Sequence, residues 1–171
     1  MWLKYLLITL LFFILVLLQA IFLPFFSIIG IVPNLVFILF FILTFFACLR
    51  DQKRQNKYQI EVFFMAIIAG LFLDIFSSSY FGPSIISLLI IYFSIKAVIH
   101  FLKDRQDKYL IFYFLYLFLF SFFIYNLFLG LLSNSLYLEL NFKTTLIGLL
   151  YNLVLVYIGF YIYLISNPKH Q

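Results

Sequence analysis

Residues 66–83 read A-I-I-A-G-L-F-L-D-I-F-S-S-S-Y-F-G-P. The stretch opens as an apolar helix and carries one carboxylate, Asp74. It then runs through Ser77, Ser78 and Ser79 into a Gly82-Pro83 turn. An ionised side chain inside a bilayer costs roughly 3 kcal/mol at mid-membrane on insertion scales, so Asp74 needs a structural or functional reason. Ala66, Gly70, Asp74 and Ser78 are four apart and share one helical face. That face is small and polar, whereas Leu71, Phe72, Ile75 and Phe76 cover the others. Small residues at this spacing let a second helix approach closely in a membrane.

The rest of the chain puts this helix in a bilayer. Of 171 residues, 67% are hydrophobic and 10% charged. A soluble domain of this size has no interior large enough for so much apolar side chain, so the chain is read as an all-α, polytopic integral membrane protein. The longest polar run, R-D-Q-K-R-Q-N-K-Y at 50–58, is too short for a soluble module, which leaves a single membrane domain. The 26 Phe and 13 Tyr are read as lipid-facing surface rather than an aromatic binding box. The single cysteine, Cys48, excludes an internal disulfide.

Apolar runs predict six spans, at about 3–23, 35–49, 60–76, 84–102, 109–132 and 144–165. The N-terminal run is too long for a signal-peptide core and is read as a retained first span ended by Pro24. Residues 25–32 are expected to form a short interfacial or re-entrant connection. Asn34 stands where an N-cap belongs, before a second span that is short for a bilayer.

Charge sets the orientation. Lys4, Arg50, Lys53, Arg54, Lys57, Lys103, Arg105, Lys108 and Lys169 fall on one side, against Lys143 and Glu139 on the other. The positive-inside rule makes the basic side, with both termini, cytoplasmic. The net charge of +5 is thus an orientation signal and not a nucleic-acid footprint. Glu61, four residues after Lys57, is expected in an exposed i,i+4 pair. Lys96 and His100 are read as extending the cytoplasmic basic rim.

At about 1.5 Å of rise per residue, Gln19, Asn34, Asp74, Asn126 and Asn152 all fall in the outer half of their spans. Lipid cannot satisfy them, so they should face inward or a partner. The plainer possibility is that each bonds a nearby backbone carbonyl and merely joins helices. Enzymatic motifs are missing: no H-x-x-x-H or C-x-x-C, no G-x-S-x-G and no glycine-rich phosphate loop. No metal, cofactor or catalytic residue is expected.

Three features together resemble the MreD family of bacterial rod shape-determining membrane proteins. Pro33-Asn34-Leu35 opens the second span, A-G-L-F-L-D-I-F at 69–76 ends the third, and Gly82-Pro83 leads into the fourth. The family more often has Asp where this chain has Asn34, and a cap can use either. The resemblance implies a non-enzymatic scaffold in the cytoplasmic (inner) membrane. Its implied partners are an MreC-type protein, the MreB filament, and a RodA-type polymerase with its penicillin-binding-protein transpeptidase. Asn34, Ala66, Gly70, Asp74, Ser78, Gly82, Pro83, Asn126 and Asn152 would then be helix-packing or partner-docking residues. For Asp74 the family's carboxylate tilts the reading toward docking over capping. The alternative is the substrate-binding membrane subunit of an energy-coupling vitamin transporter. Such subunits carry a small-xxx-small pair on the first helix, and the first span here has none.

Overall fold

The structure is a computed structural model that describes residues 2–27, 30–51, 57–76, 81–101, 110–132 and 142–166. Six α-helices dominate it: α1 (Trp2–Leu17), α2 (Leu35–Asp51), α3 (Lys57–Phe76), α4 (Pro83–Phe101), α5 (Leu110–Leu132) and α6 (Phe142–Ser166). Five helical stretches are long and apolar enough to cross a membrane, and Leu35–Leu49 is a shorter apolar one. The chain is therefore an α-helical, multi-pass membrane protein.

Two interhelical contacts define the ends of the bundle. Lys4, near the start of α1, pairs with Glu61, near the start of α3. Asp74, near the end of α3, meets the start of α4. Glu61 is mostly covered and is held by Lys4 of α1, which corrects the expectation that it is exposed; the Lys57 side chain of the expected pair lies outside the described ones.

Helix α2, whose apolar stretch Leu35–Leu49 is the shortest, is the innermost. Val36, Phe37, Phe40, Phe41 and Phe45 are fully buried in it. Enclosure removes the length problem raised by the sequence, because hydrophobic mismatch penalises lipid-facing helices. Phe37, Phe41 and Phe45 recur every four residues and so form one stripe. On α5, Phe114, Phe118 and Phe122 form a second. The stripes mesh antiparallel, with centroid distances of 6.2 Å for Phe37–Phe122, 5.2 Å for Phe41–Phe118 and 4.9 Å for Phe45–Phe114. These are ordinary tilted and edge-on aromatic spacings. The reading of the phenylalanines as lipid-facing is thus only half right. Phe63, Phe93 and Phe112 do face outward, but the α2–α5 ladder is core.

The first span does not stop at Pro24. Beyond Leu17 the helix widens into a π turn over Leu18–Phe22 and tightens into a 3₁₀ turn over Leu23–Phe26. The Leu23 N–H donates to the Leu18 carbonyl, a five-residue step. Pro24 has no N–H to continue the α-helical ladder, so the chain changes pitch on both sides of it. The expected re-entrant connection is therefore partly a helical extension.

Candidate functional site

The site grows from the contact of α3 with α4. Ala66 and Gly70 are buried on the α3 face that the sequence marks, one turn apart. A Cβ on Gly70 would lie 2.5 Å from the Ile85 Cα and 2.7 Å from the Ile85 nitrogen. Both are backbone atoms, so no rotamer change could make room. The small face thus serves an approach within the chain, between α3 and α4.

That approach delivers Asp74 to the N-terminus of α4. Its side chain is 3% exposed. Oδ2 accepts the Gly82 N–H at 2.8 Å, and Oδ1 accepts the Ser84 N–H at 3.0 Å. Pro83, between them, has no N–H to satisfy. The carboxylate thereby serves the donors of residues 82–84, which a helix start leaves without intrahelical partners. Gly82 makes this possible with φ +116°, a conformation that favours glycine. The electrostatics are divided. A negative charge is unfavourable in the last turn of α3 and favourable at the first turn of α4. Two charge-assisted bonds decide for the second.

A parallel arrangement starts α2. The Asn34 Oδ1 accepts the Phe37 N–H at 2.9 Å, an N-cap bond to the third helical position. The Asn34 backbone N–H in turn donates to Asn152 Oδ1 of α6 at 2.8 Å. Asn152 is buried and is oriented by its own Nδ2, which donates to the Gly148 carbonyl at 2.8 Å.

Tyr125 of α5 connects the two starts. Asn34 Nδ2 donates to the Tyr125 hydroxyl at 3.2 Å, and the Ser84 side chain reaches the same hydroxyl. A polar junction therefore runs from Asn152 through Asn34, Tyr125 and Ser84 to Asp74. It touches all five helices α2 to α6 at one end of the bundle. Beside it lies a cavity of about 300 Å³, whose lining includes the polar residues Gln19, Asn34, Ser84 and Tyr125.

Of the residues singled out by sequence, Asn34, Ala66, Gly70, Asp74, Gly82, Pro83 and Asn152 belong to this end of the bundle or to the face leading to it. Asn126 does not join them, because its Nδ2 donates to the Phe122 carbonyl of its own helix at 2.8 Å. Ser78 lies outside the described residues. Sequence reading missed two members. Ser84 had a signal, since it directly follows the Gly82-Pro83 turn and so sits at the second position of a helix. Tyr125 had none, being one tyrosine among 13. Its neighbour Asn126 drew attention instead, and one residue is about 100° of rotation on a helix of 3.6 residues per turn.

Among the described residues no group of three His, Cys, Asp or Glu side chains could hold a metal ion. The arrangement braces helix ends, and its one carboxylate is engaged with backbone donors. Neither a family model, nor a curated protein, nor a solved structure matches the chain.

Proposed function

We propose that this chain is a non-enzymatic membrane scaffold of the MreD type. In this reading it sits in the bacterial cytoplasmic membrane with six spans and both termini inside. It binds an MreC-type protein within the cell-wall elongation machinery that maintains rod shape. The MreB filament and a RodA-type synthase with its penicillin-binding protein belong to the same assembly.

One observation carries the reading. Of the three segments behind the resemblance, residues 69–76 and Gly82-Pro83 are neighbours in sequence, and the more distant Pro33-Asn34-Leu35 meets them at one junction. That these segments assemble into one brace supports reading them as one structural unit. The apolar composition and short polar connections leave little chain outside the membrane for a catalytic domain. Alternation of the helix ends supports the six-span topology, as does the crowding of Lys and Arg into the connections 50–58 and 103–108.

The burial of Asp74 bears on how the scaffold works. A carboxylate committed to α4 is poorly placed to touch a partner, so its contribution to recruitment runs through the fold. The test is co-expression with an MreC-type membrane protein and affinity capture of this chain. Retention of the partner is expected, and its absence from capture at normal membrane abundance contradicts the scaffold reading. Topology has its own check. After replacement of Cys48, single cysteines at Leu3 and Phe81, both exposed, should label from opposite faces of the membrane.

The outer cavity favours the second reading, a ligand-binding subunit of a vitamin transporter. A panel of vitamins added to the purified chain separates the two. Thermal stabilisation by one of them supports the transporter subunit, since only a ligand that binds the native state raises the melting temperature.

A further inference from the structure

Lys96 is a charge inside a membrane-spanning helix with nothing described to balance it. It sits in α4, four residues before the end of the apolar stretch Pro83–His100, and is partly buried. Among the described residues it has no ion pair and no hydrogen-bond partner. Two carboxylates have described side chains, and both are engaged elsewhere. Glu61 is held by Lys4, and Asp74 by the N–H groups of Gly82 and Ser84. Ser84 lies twelve residues before Lys96, about 18 Å along the helix. A cation in a membrane span is costly and calls for a counter-charge.

The surrounding face of α4 shows what kind of molecule could bring that counter-charge. Ile86, Phe93 and His100 are seven apart, share one side of the helix and are all exposed. Lys96 follows Phe93 by three residues and precedes His100 by four, so it flanks the same stripe. The stripe is apolar along most of its length and basic at one end. The basic end lies where the span meets the headgroups. Four residues are about 6 Å of rise, a gap that a lysine stem bridges by snorkelling. Phospholipid phosphates lie at that depth, and acyl chains run below it toward the bilayer centre. Basic groups beside spanning helices at this level recognise anionic headgroups.

We propose that this stripe of α4 is a binding site for an anionic phospholipid, with its phosphate at Lys96 and His100 and an acyl chain against Phe93 and Ile86. The inference rests on the placement of α4 in a bilayer and is independent of the scaffold reading.

The full chain in detergent micelles is titrated separately with dioctanoyl phosphatidylglycerol, dioctanoyl phosphatidylcholine and glycerol 3-phosphate, and backbone amide resonances are followed by NMR. Phosphatidylglycerol should shift Phe93, Ala97 and His100 saturably. It should bind about five- to tenfold more tightly than phosphatidylcholine, the range for a charge-assisted bond that is partly exposed. Glycerol 3-phosphate has the phosphate without the chains and should leave these resonances in place. Lys96→Met should bind the two lipids alike, whereas Lys96→Arg should keep the preference. Lys4→Met, at an exposed lysine of α1, should keep it too. Equal binding of the two lipids by the parent would overturn the proposal, and so would shifts confined to other helices or a comparable response to glycerol 3-phosphate. A preference that survives Lys96→Met would overturn it as well. If Lys4→Met abolished the preference as fully as Lys96→Met, general charge attraction would be the cause and the site would be wrong. The titrations of the parent decide the matter even if Lys96→Met fails to fold.

Discussion

The α3–α4 pair and α1 lie in the same bilayer and are both apolar, yet they are held in different ways. The α3–α4 contact is a backbone approach at Gly70 sealed by two hydrogen bonds that Asp74 accepts from the Gly82 and Ser84 N–H groups. Helix α1 lies on α3 through side chains, with edge-on and tilted rings at Tyr5–Phe64 and Phe13–Phe72, and the Lys4–Glu61 pair at one end. Much of it faces outward: Leu3 is 71% exposed and Leu7 55%. The difference teaches where specificity resides in a membrane. Lipid is as good an apolar solvent as leucine, so apolar side chains alone do not select a neighbour. Close backbone contact and satisfied polar groups do. On this view α3–α4 is the fixed unit and α1 the replaceable one.

Substitutions sharpen that comparison. The largest effect is expected for Gly70→Leu. Its side chain would meet the backbone of Ile85, which cannot move aside. Overpacking against backbone should cost about 3 kcal/mol or more, measured as a lowered unfolding midpoint in mixed micelles. Leu71→Val, one position away on a different face, should change the midpoint little. Equal effects would show that close approach is not what holds the pair.

Next comes Asp74→Ala, which strips the acceptor from two backbone donors at the start of α4. Leaving them unmet should cost about 2–3 kcal/mol in the same assay. Asp74→Asn should fall between this variant and the parent, at about 1–2 kcal/mol. Its single carbonyl oxygen can serve one N–H, while its NH₂ group faces the other. An asparagine as stable as the parent would mean that one acceptor suffices.

The smallest effect is expected at the edge of α1. Lys4→Met removes an ion pair whose lysine is half exposed, and such pairs are worth about 0–1 kcal/mol. A loss comparable to that of Asp74→Ala would make α1 as firmly fixed as α4 and would dissolve the contrast.

Much of this architecture is legible in the sequence because the bilayer restricts the options. Five helices long enough to cross the membrane follow from apolar length. The face of Ala66, Gly70 and Asp74 follows from a spacing of four, the cap of α2 follows from Asn34, and the Gly82-Pro83 turn marks the start of α4, whereas the sequence tilts Asp74 itself toward docking over capping. What was not legible depends on which helices are neighbours. Phe41 and Phe63 look alike in an apolar run, yet one is core and the other is exposed, because α2 is enclosed and that face of α3 is not. Glu61 finds a lysine 57 positions earlier, which no local spacing announces. Tyr125 joins the junction only because α5 passes between two helix starts. The π turn around Gln19 follows from Pro24, but its five-residue step becomes visible only in the structure.

The central claim is that Asp74 holds the start of α4, and amide hydrogen exchange at Gly82 and Ser84 tests it most directly. The measurement compares the parent with Asp74→Ala in nanodiscs, read by NMR or by mass spectrometry of fragments covering residues 81–86. Both amides are expected to be protected in the parent. In the variant they should exchange at least about tenfold faster, while Leu88, within the helical ladder, keeps its protection. Fast exchange at Gly82 and Ser84 in the parent, or protection that Asp74→Ala leaves unchanged, would contradict the account.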